Sequence, residues 1–416
     1  MSASRRPPND ALIAAIDVGA AKISCIIARQ EADGAVTPLG VGQQTMRRGA
    51  DFATVDFEAA ARLVAVAADE AMRMAGAPIP PVAISYSTPG VETARLTGHS
   101  PIPASGVTAR TVDSARVTVL RMASARGRRL IGVAPLAVAI DDVDIAPEAC
   151  LGAAGARLTV RLAAITGPED AIERVERTCH RAGLVADGAS LGVIAAGAAA
   201  LTPEERNGPT FVIDFGAAQT GVALFAGGCA TAARTFNRGG DAITETLARA
   251  VSTTRAAAER VKIAHGDVSG HSEDRAVIEF AQLNADGRLS PGAAARATVL
   301  AAIRGAWLEI LTDLRPALDQ ADPAGRAGVV MVGGGALTLG LGQLVERALG
   351  RRARLGRPIG FGALDVSEGG PGYVAMCGVL AGGAAARRGE PAVARLPAPR
   401  LGEQARRALG WLRNNL

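Results

Sequence analysis

The chain reads as a two-domain α/β protein built from two copies of one strand, turn and strand unit, with a ligand site between the copies. The first copy is residues 13–28, where the strand Ile13-Ala14-Ala15-Ile16-Asp17 runs into the turn Val18-Gly19-Ala20-Ala21 and out through Lys22. The second is residues 211–225, where Phe211-Val212-Ile213-Asp214 is followed by Phe215-Gly216-Ala217-Ala218-Gln219-Thr220 and another apolar run. Each first strand carries an aspartate at its end. At 416 residues there is chain enough for two sizeable cores.

Apolar runs at 12–17, 23–28 and 36–42, the last after the turn Asp33-Gly34, predict three strands. An alanine-rich helical pattern follows at 56–75, entered through Thr54 and Asp56, and residues 81–86 form another strand. Residues 87–163 have a different character, with scattered charge, strand-like pieces at 130–140 and 157–164, and a helix at 108–126. A periodic helix follows at 168–182, with another helical stretch at 195–201, and the pattern restarts at 211. The expected organisation is a disordered terminus at 1–10, a first core at 11–86 and 164–207, and an inserted subdomain at 87–163. A second core occupies 208–240 and 308–383 with an outer subdomain at 241–307, then a linker at 384–400 and a terminal helix at 401–416.

Composition narrows the classes. The net charge of +5 is carried by residues 384–416, where seven arginines face Glu390 and Glu403. Five widely spaced cysteines read as reduced core residues, and the four histidines show no metal-ligand spacing. The start lacks an apolar signal segment, and the uncharged stretches at 188–203 and 369–386 are too short or too glycine-broken to be membrane spans. Lysine and arginine total 45, yet only Lys22 and Lys262 are lysine. A lysine kept in so arginine-rich a chain points to a site that needs a compact ammonium rather than a planar fork.

Glycine turns after strands let backbone N–H groups approach phosphate oxygens, and an aspartate at the strand end can hold a hydrated cation. Asp17, Gly19 and Lys22 on the first turn and Asp214, Gly216 and Thr220 on the second supply this pattern twice. A third strand and turn, Val329-Val330-Met331-Val332-Gly333-Gly334-Gly335, places bare backbone and a helix start nearby.

These residues resemble the actin, Hsp70 and sugar-kinase superfamily and, within it, the FtsA family of bacterial division proteins, over about 11–383 and the tail. Asp17 to Lys22 is similar to that family's first phosphate motif and residues 213–225 to its second, with Gly239-Gly240-Asp241 the turn after it. Ala258-Glu259-Arg260-Val261-Lys262 is similar to the helix covering the adenosine, and Gly333, Gly334 and Gly335 to the adenosine motif. The segment at 87–163 resembles the family's distinctive extra subdomain. The resemblance implies an actin-like (ribonuclease H-like) fold with ATP and Mg2+ between the domains. Asp17, Gly19, Lys22, Asp214, Gly216, Thr220, Gly239, Glu259, Lys262, Gly333, Gly334 and Gly335 would bind nucleotide, with Asp17 and Asp214 reaching Mg2+ through water. It further implies self-association into filaments, tethering of the tubulin-like protein FtsZ to the inner membrane at the division site, and contacts with later division proteins. Glu309 and Arg304 are the candidate FtsZ contacts, and no nucleic-acid partner is implied.

The turns depart from the family where Ala20, Ala21, Ala217, Ala218 and Gln219 replace hydroxyl-bearing residues and glycines. A charge-assisted hydrogen bond is worth roughly 1.5–3 kcal/mol, so these losses predict weak ATP binding with little or no hydrolysis. In the tail, Leu401, Ala405, Ala408, Leu409, Leu412 and Leu416 share one helical arc opposite Arg406, Arg407, Arg413 and Asn414, with Trp411 at its edge. That is a basic amphipathic helix suited to an anionic membrane surface. Three rival readings remain: a serine hydrolase from Gly188-Ala189-Ser190-Leu191-Gly192, a small-molecule kinase of the same superfamily, and a pilus-associated actin-like protein.

Overall fold

The computed structural model describes residues 11–31, 35–46, 56–123, 127–270, 276–361 and 370–387. The expected terminal helix at 401–416, its seven membrane-facing candidates Arg406, Arg407, Leu409, Trp411, Leu412, Arg413 and Leu416, and residues 1–10 lie outside the described residues.

Two sheets repeat one plan. In the first, β1 (Ala11–Val18), β2 (Lys22–Gln30) and β3 (Val36–Thr45) form an antiparallel meander, and β4 (Val82–Tyr86) and β9 (Ala186–Leu191) add in parallel, giving the order β3-β2-β1-β4-β9. In the second, β10 (Thr210–Phe215), β11 (Thr220–Ala226) and β12 (Cys229–Phe236) form the meander, and β15 (Gly328–Val332) and β16 (Ala353–Leu355) add in parallel, giving β12-β11-β10-β15-β16. The echo read from the sequence is thus a duplicated sheet. In both copies the aspartate is at the same place, with Asp17 opposite Ser24 and Asp214 opposite Gly221.

Helix α1 (Phe57–Ala75) shows how small residues set the layer spacing. The Asp56 side chain accepts from Ala59 N at 3.1 Å to cap its start, and Gly76 at φ 61° ends it. Its buried face is mostly alanine, and it lies so close to β3 that a Cβ at Gly42 would sit 1.9 Å from Ala67 O. Glycine on the strand and alanine on the helix bring the backbones together, which any larger side chain would prevent.

The two copies accept insertions at different points. After β4 comes a subdomain whose sheet has the order β5-β8-β6-β7, with β5 (Glu92–Pro101), β6 (Arg128–Ile140), β7 (Val143–Ile145) and β8 (Arg157–Pro168), covered by α2 (Ala109–Ala123). Val112, Ala115 and Val119 of α2 meet Leu158, Val160 and Leu162 of β8 in a separate core. β8 runs on to Pro168, so the expected boundary at 163 falls inside a strand. Helix α3 (Glu169–Arg181) returns the chain to β9 and then α4 (Gly192–Ala200) and α5 (Pro203–Asn207). Ser190 is an ordinary member of β9, paired with Ser85, rather than the tip of a strained turn, which removes the hydrolase reading's structural basis.

In the second copy the insertion follows β12: α6 (Gly240–Ala250), α7 (Arg255–His265) and the hairpin of β13 (Val277–Leu283) and β14 (Leu289–Ala295). The 26-residue helix α8 (Arg296–Ala321) leads back, so the expected boundary at 307/308 falls within one continuous helix. After β15 come α9 (Leu341–Leu349), β16 and finally α10 (Val374–Arg387), which continues past 383 into the first residues of the expected linker. Helices α4 and α10 pack between the two sheets. The approach is close, since a Cβ at Gly378 would meet Ala195 O at 1.8 Å.

Candidate functional site

The first turn closes tightly, with Gly19 N donating to Lys22 O at 3.1 Å, and the second does the same, with Gly216 N donating to Gln219 O at 3.0 Å. Both turns line one cavity of about 460 Å3 between the duplicated sheets. Among the described residues, the backbone N–H groups of Ala20, Ala21, Ala217 and Ala218 donate to no other protein group. Free N–H groups on two facing turns suit an anion.

Of the twelve residues singled out for nucleotide, ten line this cavity: Asp17, Gly19, Lys22, Asp214, Gly216, Glu259, Lys262, Gly333, Gly334 and Gly335. Thr220 and Gly239 do not. Thr220 is fully buried and its hydroxyl donates to Arg238 O at 2.7 Å, fastening β11 to the chain before α6. Gly239 is needed because α6 starts directly on the second turn. Gly240 N donates to Gly216 O at 3.0 Å and Asp241 N to Ala217 O at 2.8 Å, and a Cβ at Gly239 would lie 2.5 Å from Ala217 O. Both residues shape the turn from behind.

Burial raises the Asp214 carboxyl to about 7, and the Asp17 charge adds to the shift. Asp17 is also raised, mainly by burial, with the Ser85 hydroxyl and the Lys22 ammonium opposing. Burial lowers Lys22, against the pull of Asp17. The charge on Asp17 opposes ionisation of Asp214, so a cation held between the two half-buried carboxylates relieves the repulsion.

Beside the second turn, Lys262 Nζ lies 2.8 Å from Glu259 Oε2, 2.9 Å from Gly240 O and 2.8 Å from Thr244 Oγ1. The Thr244 hydroxyl also donates to Glu259, which is buried. This satisfied cluster fixes α7 against α6 and holds the lysine and carboxylate at the cavity wall. Thr254 caps α7 by accepting from Ala257 N at 3.3 Å. Gly333, at φ 84°, begins the third turn, and Gly335 is hemmed in by Phe215 and Trp307, whose rings meet edge to face at 5.1 Å.

Sequence reasoning missed Ser87, Gln219, Trp307, Thr338 and Gly372 as lining residues. Gln219 and Gly372 had a local signal, being next to singled-out turns. Trp307 had none, since it lies within an ordinary helical pattern.

The residues fit Mg2+ and ATP by their chemistry: free N–H groups at two turns, the Asp17 and Asp214 carboxylates for a hydrated cation, and a glycine turn facing Glu259 and Lys262. The alanine methyls remain where hydroxyls were expected, and neither turn offers a side-chain hydroxyl at Ala20, Ala21, Ala217 or Ala218. The two candidate partner residues lie apart from the cavity on α8. Arg304 donates to Val268 O at 2.7 Å, whereas exposed Glu309 pairs with Arg238 at 3.4 Å. Five residues of helix turn these side chains about 140° apart, so they do not form one patch.

The family model described as "Cell division protein FtsA" matches residues 211–378. The cell division protein FtsA of Escherichia coli (strain K12) is 26% identical over 413 residues, covering 97% of each chain. That of Agrobacterium fabrum is 26% identical over 382 residues, covering 89% of this chain and 86% of its own. Among solved structures, the PilM-PilN type IV pilus biogenesis complex aligns with a TM-score of 0.63 at 18% identity, covering 90% of this chain and 99% of its own. MreB5 of Spiroplasma citri bound to ADP aligns with a TM-score of 0.54 at 13% identity, covering 89% and 95%. In sequence over nearly its whole length the chain is similar to the bacterial cell division protein FtsA, and its α/β fold is actin-like.

Proposed function

We propose that the protein acts in bacterial cell division as an ATP-binding, self-associating adaptor that tethers FtsZ to the cytoplasmic face of the inner membrane. The observation that carries the reading is the convergence of both aspartate-bearing turns, the Glu259–Lys262 pair and the third glycine turn on one cleft, in a chain similar to FtsA end to end. Bound Mg2+ would neutralise charge between the phosphates and the two carboxylates. Asp17 and Asp214 would hold its water shell, Lys22 would meet a phosphate oxygen, and the turn N–H groups would cradle the rest. Glu259 and Lys262 would face the nucleoside with Gly333, Gly334 and Gly335 opposite.

The missing hydroxyls favour occupancy over turnover, so nucleotide works here as a ligand that sets the angle between the two sheets and hence self-association. Residues 401–416 supply the membrane contact through Arg406, Arg407, Leu409, Trp411, Leu412, Arg413 and Leu416. Each arginine near an anionic surface adds about 1 kcal/mol, so single chains bind modestly and polymers bind strongly. FtsZ is placed on the outer subdomain and α8. Glu309 is the better contact candidate, because it is exposed in its pair with Arg238, whereas Arg304 is half-buried and donates to Val268 O.

Liposome co-sedimentation of the full chain and a chain lacking residues 404–416, with and without FtsZ, tests the reading. FtsZ is expected in the pellet only with the full chain. A full chain that stays in the supernatant removes the anchor and makes a soluble enzyme of the same fold the leading alternative.

A further inference from the structure

Lys22 is the only cation on either phosphate-type turn, and it is not left to find its own position. Its ammonium lies 4.1 Å from the centroid of the Tyr373 ring while the residue lines the cavity. Tyr373 is in turn anchored: its hydroxyl donates to Gln43 Oε1 on β3 at 2.9 Å, and it closes the short 3-10 turn Gly370–Tyr373 that opens into α10. That turn is tied to the opposite sheet, because Gly333 N donates to Pro371 O at 2.9 Å. Its backbone also runs beside the lysine, since a Cβ at Gly372 would lie in ordinary contact with Lys22 Nζ, at 3.5 Å.

A lysine on a four-carbon stem beside a carboxylate tends to fold onto it. Asp17 is close enough to perturb Lys22, yet no ion pair forms between them within 4.0 Å. A ring face attracts an ammonium while leaving its N–H donors on the far side free, whereas a carboxylate would consume them. The Tyr373 ring therefore acts as a fixed backstop. It keeps the cation off Asp17, which stays available to a hydrated metal ion, and points its donors into the cleft.

We infer that Tyr373 is a positioning residue that holds the Lys22 ammonium ready for the phosphates of a nucleoside polyphosphate, giving the cleft its preference for phosphorylated ligands over the bare nucleoside. This rests on the nucleotide reading of the cleft.

The test uses the full chain and its Tyr373→Phe and Tyr373→Leu variants, with ATP, ADP and adenosine titrated by calorimetry. Tyr373→Leu is expected to weaken ATP and ADP about tenfold and leave adenosine unchanged, while Tyr373→Phe, which keeps the ring, stays within about threefold of the parent. With only two lysines in the chain, carbon-13 labelling of lysine gives a two-residue NMR spectrum. The Lys22 methylene protons are expected upfield from the ring current in the ligand-free parent and in Tyr373→Phe, and at ordinary positions in Tyr373→Leu. Equal weakening of ATP and adenosine, or unshifted Lys22 protons in the parent, overturns the inference. If the parent binds none of the three ligands, the nucleotide reading itself fails and the inference falls with it.

Discussion

Gly333 stands directly behind Asp214: a Cβ at Gly333 would lie 2.3 Å from Asp214 Oδ1 and 2.7 Å from Phe215 O. The glycine is also in the left-handed region, at φ 84°, so both space and backbone conformation demand it. Gly333→Ala is expected to destabilise the fold by about 2–4 kcal/mol and to displace the Asp214 carboxylate. Urea unfolding checks the first effect. Nucleotide affinity in the surviving folded fraction checks the second.

Asp214 gives the ligand-free protein a pH signature. Its carboxyl is raised from 3.8 to about 7, first by burial and then by Asp17, so the folded state holds a proton that the unfolded state has already lost. Its stabilising contribution is full below pH 3.8 and is lost as pH rises through about 7. Stability, followed through the melting temperature, is expected to fall between about pH 4 and 7, by up to roughly 4 kcal/mol in all, and Asp214→Asn is expected to flatten that slope. A parent and a variant with parallel profiles would place the proton elsewhere.

Glu259, Lys262 and Thr244 bond to one another, so removing one member weakens the hold on the others. Lys262→Ala leaves the buried Glu259 carboxylate with the Thr244 hydroxyl and without its ammonium. A loss of about 1–3 kcal/mol in stability is expected, and Lys262→Ala with Glu259→Gln together should cost less than the two separately. A double-mutant cycle by chemical denaturation measures the coupling.

Hydroxyls returned to the turns should strengthen nucleotide. Ala20 and Ala21 sit where unpaired N–H groups already face the cleft, so Ala20→Thr with Ala21→Ser adds donors without moving the backbone. The double variant is expected to bind ATP about tenfold or more tighter than the parent, since each charge-assisted bond is worth roughly 1.5–3 kcal/mol. An unchanged dissociation constant would mean that these methyls do not face the phosphates.

Glu205 and Arg354 test whether the sheets are held together by more than apolar contact. Arg354 on β16 makes a two-pronged ion pair with Glu205 on α5 and also donates to Ala200 O at 2.8 Å at the end of α4. The Arg354 side chain holds Glu205 below the usual carboxylate range. Arg354→Met is expected to lower stability by about 1–2 kcal/mol at neutral pH, with the difference shrinking as acid protonates Glu205.

The sequence by itself determined the duplicated strand and turn units, the place of the insertion near 87 and ten of the residues that line the cleft, because all of these are written in local patterns. Aspartate ending an apolar strand and glycine at a turn act through their immediate backbone, so spacing alone reveals them. Only the tertiary structure decided which face each turn residue presents. Thr220 turned away to Arg238 and Gly239 backed the turn because α6 docks on Gly216 and Ala217, a contact that no local pattern encodes. Tyr373 under Lys22 and Trp307 beside Gly335 were equally hidden. Their partners are distant in the chain, and only the packing of the two sheets around one cleft, with α4 and α10 between them, brings such residues within a few ångströms.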